Sequence, residues 1–114
     1  MIIKLIRGDT KKIKFQRKTK NKVVITEKPD KMYFTVKKSY YHKDVLFQKK
    51  LDEDIIYNEQ DNYYYLTIES NDTDELDYDK YVFDIEIINN NEKKTIAIGE
   101  LMLDKEVTFA KNEV

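Results

Sequence analysis

Polar and apolar residues alternate one for one along most of this chain. A period of two is the mark of strands with one face buried and one in water. Lys11 to Arg17 reads as a strand that buries Ile13 and Phe15 and exposes its charges. Met32 to Lys37 buries Met32, Phe34 and Val36. Tyr63 to Glu69 puts Tyr64, Leu66 and Ile68 on one face. Tyr81 to Ile87 turns Tyr81, Phe83, Ile85 and Ile87 inward and Asp84 and Glu86 outward. Val45 to Lys49 is a further strand in which either parity suits the core. Ile2 to Ile6, Val23 to Thr26 and Ile55 to Tyr57 are shorter candidates.

The last strand switches parity. Ile96 and Ile98 are apolar at even positions, Leu101 and Leu103 at odd ones, and Gly99 lies between. One inserted residue would keep both pairs on the core face, so a β-bulge is expected at Gly99. Turn chemistry falls between the runs: Lys20-Asn21-Lys22, Glu27 to Asp30 around Pro29, Asp61-Asn62, and Asn89 to Glu92. Asn tolerates positive φ better than most residues, and Pro removes a ladder donor. The one helical signal is Ser70 to Leu76, where Asp72 would cap a turn with Glu75 as its partner. These patterns predict an all-β antiparallel sandwich of about 7–9 strands, with a short helical turn near residues 71–76. Residues 1–110 form the single domain and 111–114 a frayed tail.

At 114 residues the chain suits one core. It has no cysteine, so disulfides, thiolate nucleophiles and thiolate metal sites are excluded. No apolar stretch reaches the roughly 20 residues of a membrane helix, and the run from Met1 to Ile6 is too short for a signal peptide. Synthesis in the cytoplasm is the expectation. The net charge of −1 conceals two unequal halves. Residues 1–57 carry 16 Lys/Arg and 7 Asp/Glu, a balance of +9, and residues 58–114 carry 5 and 15, a balance of −10. The preferred reading is that strands of the two halves pair and neutralise each other. The alternative is one basic and one acidic face, suited to head-to-tail contacts.

Leu76-Asp77-Tyr78-Asp79-Lys80-Tyr81 is the most informative stretch. Immunoglobulin-like sandwiches place a corner tyrosine at the start of a late strand and return its hydroxyl to nearby backbone. Tyr81 suits that role, with Leu76 as the plug beneath. A longer series carries a resemblance: Arg7-Gly8-Asp9-Thr10, the strand around Phe15, Met32 to Lys38, Asp72-Thr73 with Leu76, Tyr81 to Ile85, Thr95-Ile96 and Gly99-Glu100-Leu101. Together these resemble the N-terminal immunoglobulin-like domain of phage upper baseplate proteins and related small phage or prophage structural proteins. The match spans nearly the whole chain in order, through short and degenerate motifs. Asp79 stands where that pattern usually has Gly, and a full baseplate protein continues into a coiled linker and further domains. The resemblance implies assembly into a virion or phage-tail-like particle, other phage structural proteins as partners, and no catalysis.

Candidate chemistry is sparse. His42 is the single histidine, with Ser39 and Ser70 the only serines and no nucleophile elbow. Asp72, Asp74, Glu75, Asp77 and Asp79 could attract Ca²⁺, but Leu76 and Asp77 break the EF-hand pattern. A capped, solvated turn is the plainer account. Gly8 and Gly99 are too few for a phosphate loop. Arg7-Gly8-Asp9 spells an adhesion tripeptide, yet a turn accounts for its Gly and Asp. The lysines and Arg17 around Phe15 suit an edge hairpin better than nucleic acid, given the overall pI of about 5.9. Tyr33, Tyr63 and Tyr65 point outward by parity and form a candidate protein interface, unless a second layer covers them.

The functional expectation is thus a non-enzymatic structural or adaptor domain that contacts other proteins or further copies of itself, without catalytic residues, cofactor, metal or membrane. The alternative is a small binding module for carbohydrate or single-stranded nucleic acid.

Overall fold

The computed structural model describes residues 1–105. The expected tail at 111–114, and the last residues of the 1–110 domain, lie outside them. The described elements are β1 (Ile2–Ile6), β2 (Lys11–Phe15), β3 (Lys31–Lys37), β4 (Val45–Lys50), β5 (Ile55–Asn58), β6 (Tyr63–Ile68), α1 (Ser70–Thr73), β7 (Lys80–Asn89) and β8 (Glu92–Asp104). They form two sheets, ordered β1-β8-β7-β3-β4 and β2-β6-β5. Within them β1 runs parallel to β8 and every other neighbouring pair is antiparallel. The fold is all-β and sandwich-like. No helix among the described residues is long and apolar enough to cross a membrane.

Alternation places the core between the layers. Met32, Phe34 and Val36 of β3 and Tyr81, Phe83, Ile85 and Ile87 of β7 are buried, as are Tyr64, Leu66 and Ile68 of β6. The ring of Phe34 lies 5.1 Å from that of Phe83 and 6.4 Å from that of Phe47. Tyr64 stacks on Phe15 at 5.2 Å and meets Tyr57 at 4.7 Å. Each such side chain contributes about 1.5–3 kcal/mol when removed from water. A one-residue slip would turn each set into solvent, which fixes the register. Strand β4 settles its parity with Phe47 half-buried and Lys49 buried. The Lys49 ammonium lies 2.6 Å from Asp72 Oδ2 and 3.8 Å from Asp54 Oδ1, so the inward charge is paired.

Several local expectations shift. Strand β7 turns into β8 through Asn90-Asn91, with φ of 50° and 67°, as a two-residue hairpin loop requires. Val23 to Thr26 is not a strand. Val24 makes one isolated bridge with Lys18, and Ile25 N–H donates to the Arg17 carbonyl at 2.9 Å. The helical turn is Ser70–Thr73, and Asp72 is its third residue, accepting the Glu69 N–H at 2.7 Å instead of capping a turn with Glu75. Asp79 is absent from the described non-glycine residues with positive φ, which are Lys22, Asp52, Asn62, Asn90 and Asn91. No left-handed turn is therefore demanded of it.

The bulge exists, but not at Gly99. Ile85 pairs with Ala97 and Glu86 with Thr95, which leaves Ile96 as the extra residue. Gly99 pairs in regular register with Phe83. Its need is spatial: a Cβ there would stand 2.5 Å from the Met1 carbonyl oxygen and 2.7 Å from two Phe83 ring carbons.

Candidate protein interface

The outward tyrosines do not share a surface. Tyr33 lies on β3 of the five-stranded sheet, whereas Tyr63 and Tyr65 lie on β6 of the other layer. Their outward faces are on opposite sides of the sandwich, and all three are half-buried. Tyr65 donates a short hydrogen bond to Asp61 Oδ2, while Tyr63 N–H donates to Asp61 Oδ1 at 2.9 Å. The first of these bonds, helped by the second, holds the Asp61 carboxyl below its ordinary pKa, and it raises that of the Tyr65 hydroxyl. Lys14 Nζ sits 4.3 Å from the Tyr63 ring centroid. Tyr63 and Tyr65 are thus engaged within their own sheet, and parity alone could not reveal that.

Tyr81 donates its hydroxyl to the Asp77 carbonyl at 2.7 Å, four residues upstream. Leu76 is half-buried against the core, and its carbonyl accepts from Arg7 Nη1 at 3.3 Å. Arg7 is also 4.2 Å from the Tyr78 ring. The Arg7-Gly8-Asp9 tripeptide is a turn, with Gly8 at φ 83° and its N–H donating to Thr73 Oγ1 at 3.0 Å. The arginine faces its own fold.

Two carboxylates of the acidic run are committed within the fold. Asp72 serves Lys49 and the Glu69 N–H, and Asp79 Oδ1 accepts the Lys80 N–H at 2.7 Å. No group of three or more potential metal ligands gathers among the described residues. His42 Nδ1 lies 2.6 Å from Ser39 Oγ on an exposed loop. Of the ion pairs among the described residues, only Lys49–Asp72 joins the basic half to the acidic half. Among the described residues, strands of the two halves pair, as β1 with β8, β2 with β6 and β3 with β7, with that one direct ion pair between the halves.

One concavity among the described residues lies where neither tyrosines nor acids pointed. Among the described residues, strand β2 is the edge of its sheet, and β1 covers β8 only from Glu100 onward, leaving Glu92 to Ile98 as a second free edge. Between these edges opens a cleft of about 570 Å³. Ile13 and Phe15 of β2, Ile96 and Ala97 of β8 and Ile3 of β1 line it. The bulge helps to shape it, because the inserted Ile96 lies within its wall. Lys14, Arg17, Lys18 and Lys94 also line the cleft, and among the described residues no Asp or Glu does. Arg17, Lys18 and Lys94 form no ion pair among the described residues. Ile13 and Phe15 are half-buried instead of sealed, because the second layer does not close over them. The signal in the sequence was the run Lys11 to Lys18, where two apolar residues sit among cations. Compared with family models and with curated proteins, the chain matches none.

Proposed function

We propose that this chain is a non-catalytic adaptor module of immunoglobulin-like type that binds other proteins, in the setting of a phage or prophage tail or baseplate. The observation that carries the reading is the cleft: apolar walls, two free strand edges and a cationic rim in one place. A cleft of this kind suits a protein segment, which brings side chains for the walls and backbone for the edges.

The immunoglobulin-like assignment is supported by β1 running parallel to β8, by the opposition of β8-β7-β3-β4 to β2-β6-β5, and by the Tyr81 hydroxyl bound to the Asp77 carbonyl. The tail or baseplate setting is supported by the resemblance in the sequence. The non-catalytic reading is supported by the placement of His42, which is hydrogen-bonded to Ser39 on an exposed loop.

Co-expression with co-encoded tail proteins, followed by affinity capture and light scattering of the eluted complex, tests the proposal. A defined stoichiometric complex is expected. A chain that stays monomeric at high concentration and captures none of those proteins would contradict it. Binding of a poly-dT oligonucleotide that weakens steeply with salt would favour the nucleic-acid module instead.

A further inference from the structure

We infer that the cleft between β2 and β8 receives an extended strand from a partner protein, with large apolar side chains at alternate positions and Asp or Glu between them. This rests on the adaptor reading and specifies the partner and the manner of its binding. Three features, each independent of the others, converge on that chemistry.

The first is backbone. Strand β2 pairs only with β6, so alternate N–H and C=O groups along Lys11–Phe15 point away from the sheet without a backbone partner among the described residues. The β8 edge from Glu92 to Ile98 offers the same. Unpaired edges are templates for an added strand. The second is the apolar wall. Ile13, Phe15, Ile96 and Ala97 reach the cleft, and its volume of about 570 Å³ admits several large side chains. An inserted strand turns every other side chain to that wall, so its apolar residues recur with a period of two. The third is charge. Arg17, Lys18 and Lys94 lie at the cleft, and no carboxylate of the described residues is in its lining. Carboxylates at the intervening positions of the strand meet those cations, whereas a basic strand is repelled.

Edge lysines ordinarily discourage strand pairing. Here the same lysines select which strand pairs: an acidic one gains from them and a neutral or basic one does not.

The test uses the full chain and a fluorescein-labelled peptide, Glu-Ile-Asp-Phe-Glu-Ile-Asp-Phe-Glu, read by fluorescence anisotropy. Two control peptides carry Lys in place of each acid, or keep every side chain but methylate alternate backbone nitrogens, which deletes the donors a ladder requires. Saturable binding of the acidic peptide alone is expected. Amide exchange should show new protection within Lys11–Phe15, because those N–H groups acquire partners. Two protein variants locate the site. Ala97→Trp fills the cleft and should abolish binding. Lys18→Glu with Lys94→Glu changes only exposed side chains, so the fold should persist, and it should weaken binding about tenfold at low salt.

Absence of saturable binding at millimolar peptide overturns the inference. So does binding that the charge-reversed variant leaves unchanged, or binding without new protection in β2. Displacement of the peptide by poly-dT at equal affinity also overturns it, since that would mark the rim as a polyanion site. A co-encoded tail protein whose complex is indifferent to Ala97→Trp and to the charge reversal overturns this inference and leaves the adaptor reading standing.

Discussion

Replacing Gly99 with alanine separates two accounts of why a glycine stands in the longest strand. If Gly99 served only as a flexible break in β8, alanine would stabilise the protein by about 0.5–1 kcal/mol, through lower unfolded-state entropy and better strand propensity. The geometry demands the opposite sign. A new Cβ would lie 2.5 Å from the Met1 carbonyl oxygen and 2.7 Å from two ring carbons of Phe83. Comfortable carbon contacts are about 3.5–4.0 Å, so each overlap approaches 1 Å. The Met1 carbonyl accepts the Glu100 N–H at 3.0 Å and begins the β1–β8 ladder, so it cannot retreat freely. The Phe83 ring is buried 5.1 Å from that of Phe34 and has little room. Overpacking of this kind costs about 1–3 kcal/mol.

After the entropic gain, Gly99→Ala should destabilise the fold by about 1–2 kcal/mol and lower Tm by about 5–10 °C. Urea unfolding followed by tyrosine fluorescence or far-ultraviolet circular dichroism measures this, and two-state behaviour is the premise. Phe83→Leu removes the ring atoms in the way. In that background the alanine should cost at least about 1 kcal/mol less, a coupling that a double-mutant cycle resolves. A variant as stable as the wild type, or more so, refutes the spatial account. So does a cycle with no coupling.

Other perturbations test other parts of the fold. Tyr81→Phe removes the 2.7 Å bond to the Asp77 carbonyl and should cost about 1–2 kcal/mol in urea unfolding, with the β-sheet spectrum retained. Asp72→Ala leaves Lys49 buried with only Asp54 at 3.8 Å, and should cost about 2 kcal/mol. Replacing both charges together, Lys49→Met with Asp72→Asn, leaves neither group buried and unpaired and should be close to neutral by the same measurement. Desolvation, then the neighbouring Glu86, raises the pKa of Asp84 above its ordinary value, so its ionised form penalises the folded state. Asp84→Asn should therefore stabilise the protein at pH 7. The advantage should shrink as pH falls through the raised pKa and vanish below that of the unfolded chain, as paired urea titrations from pH 7 to pH 3 would show.

The layers were legible in the sequence because period two is dictated by the pleat. Residues as far apart as Met32 and Ile87 announced which way they would face. Parity, however, names a side of a strand and not a side of the molecule. Tyr33 and Tyr65 both read as outward, and only strand order could put them on opposite layers. A bulge was legible, but neither its place nor its outcome was: Ile98, expected on the core face with Ile96, turns outward and is 57 % exposed. Gly99 drew the assignment by being glycine, while the inserted residue is Ile96 and the glycine answers to Phe83 and Met1. The inward turn of Lys49 was hidden, since its partner Asp72 lies 23 residues away on another element. The cleft was the least legible feature. It arises where β2 and the first half of β8 each lack a neighbour on one side among the described residues, a property of topology that no local window contains.

The parallel pairing of β1 with β8 carries one more consequence. Ile2 lies opposite Glu100 and Ile6 opposite Asp104, so the chain enters the ladder at one end and leaves it at the other. A pull that drew the two ends apart would act along both strands, in opposite directions. The rungs between them would share the load in shear, and no single rung could be peeled off first. A link of this design yields abruptly at high force instead of unzipping at low force, which is the behaviour wanted of a joint under tension.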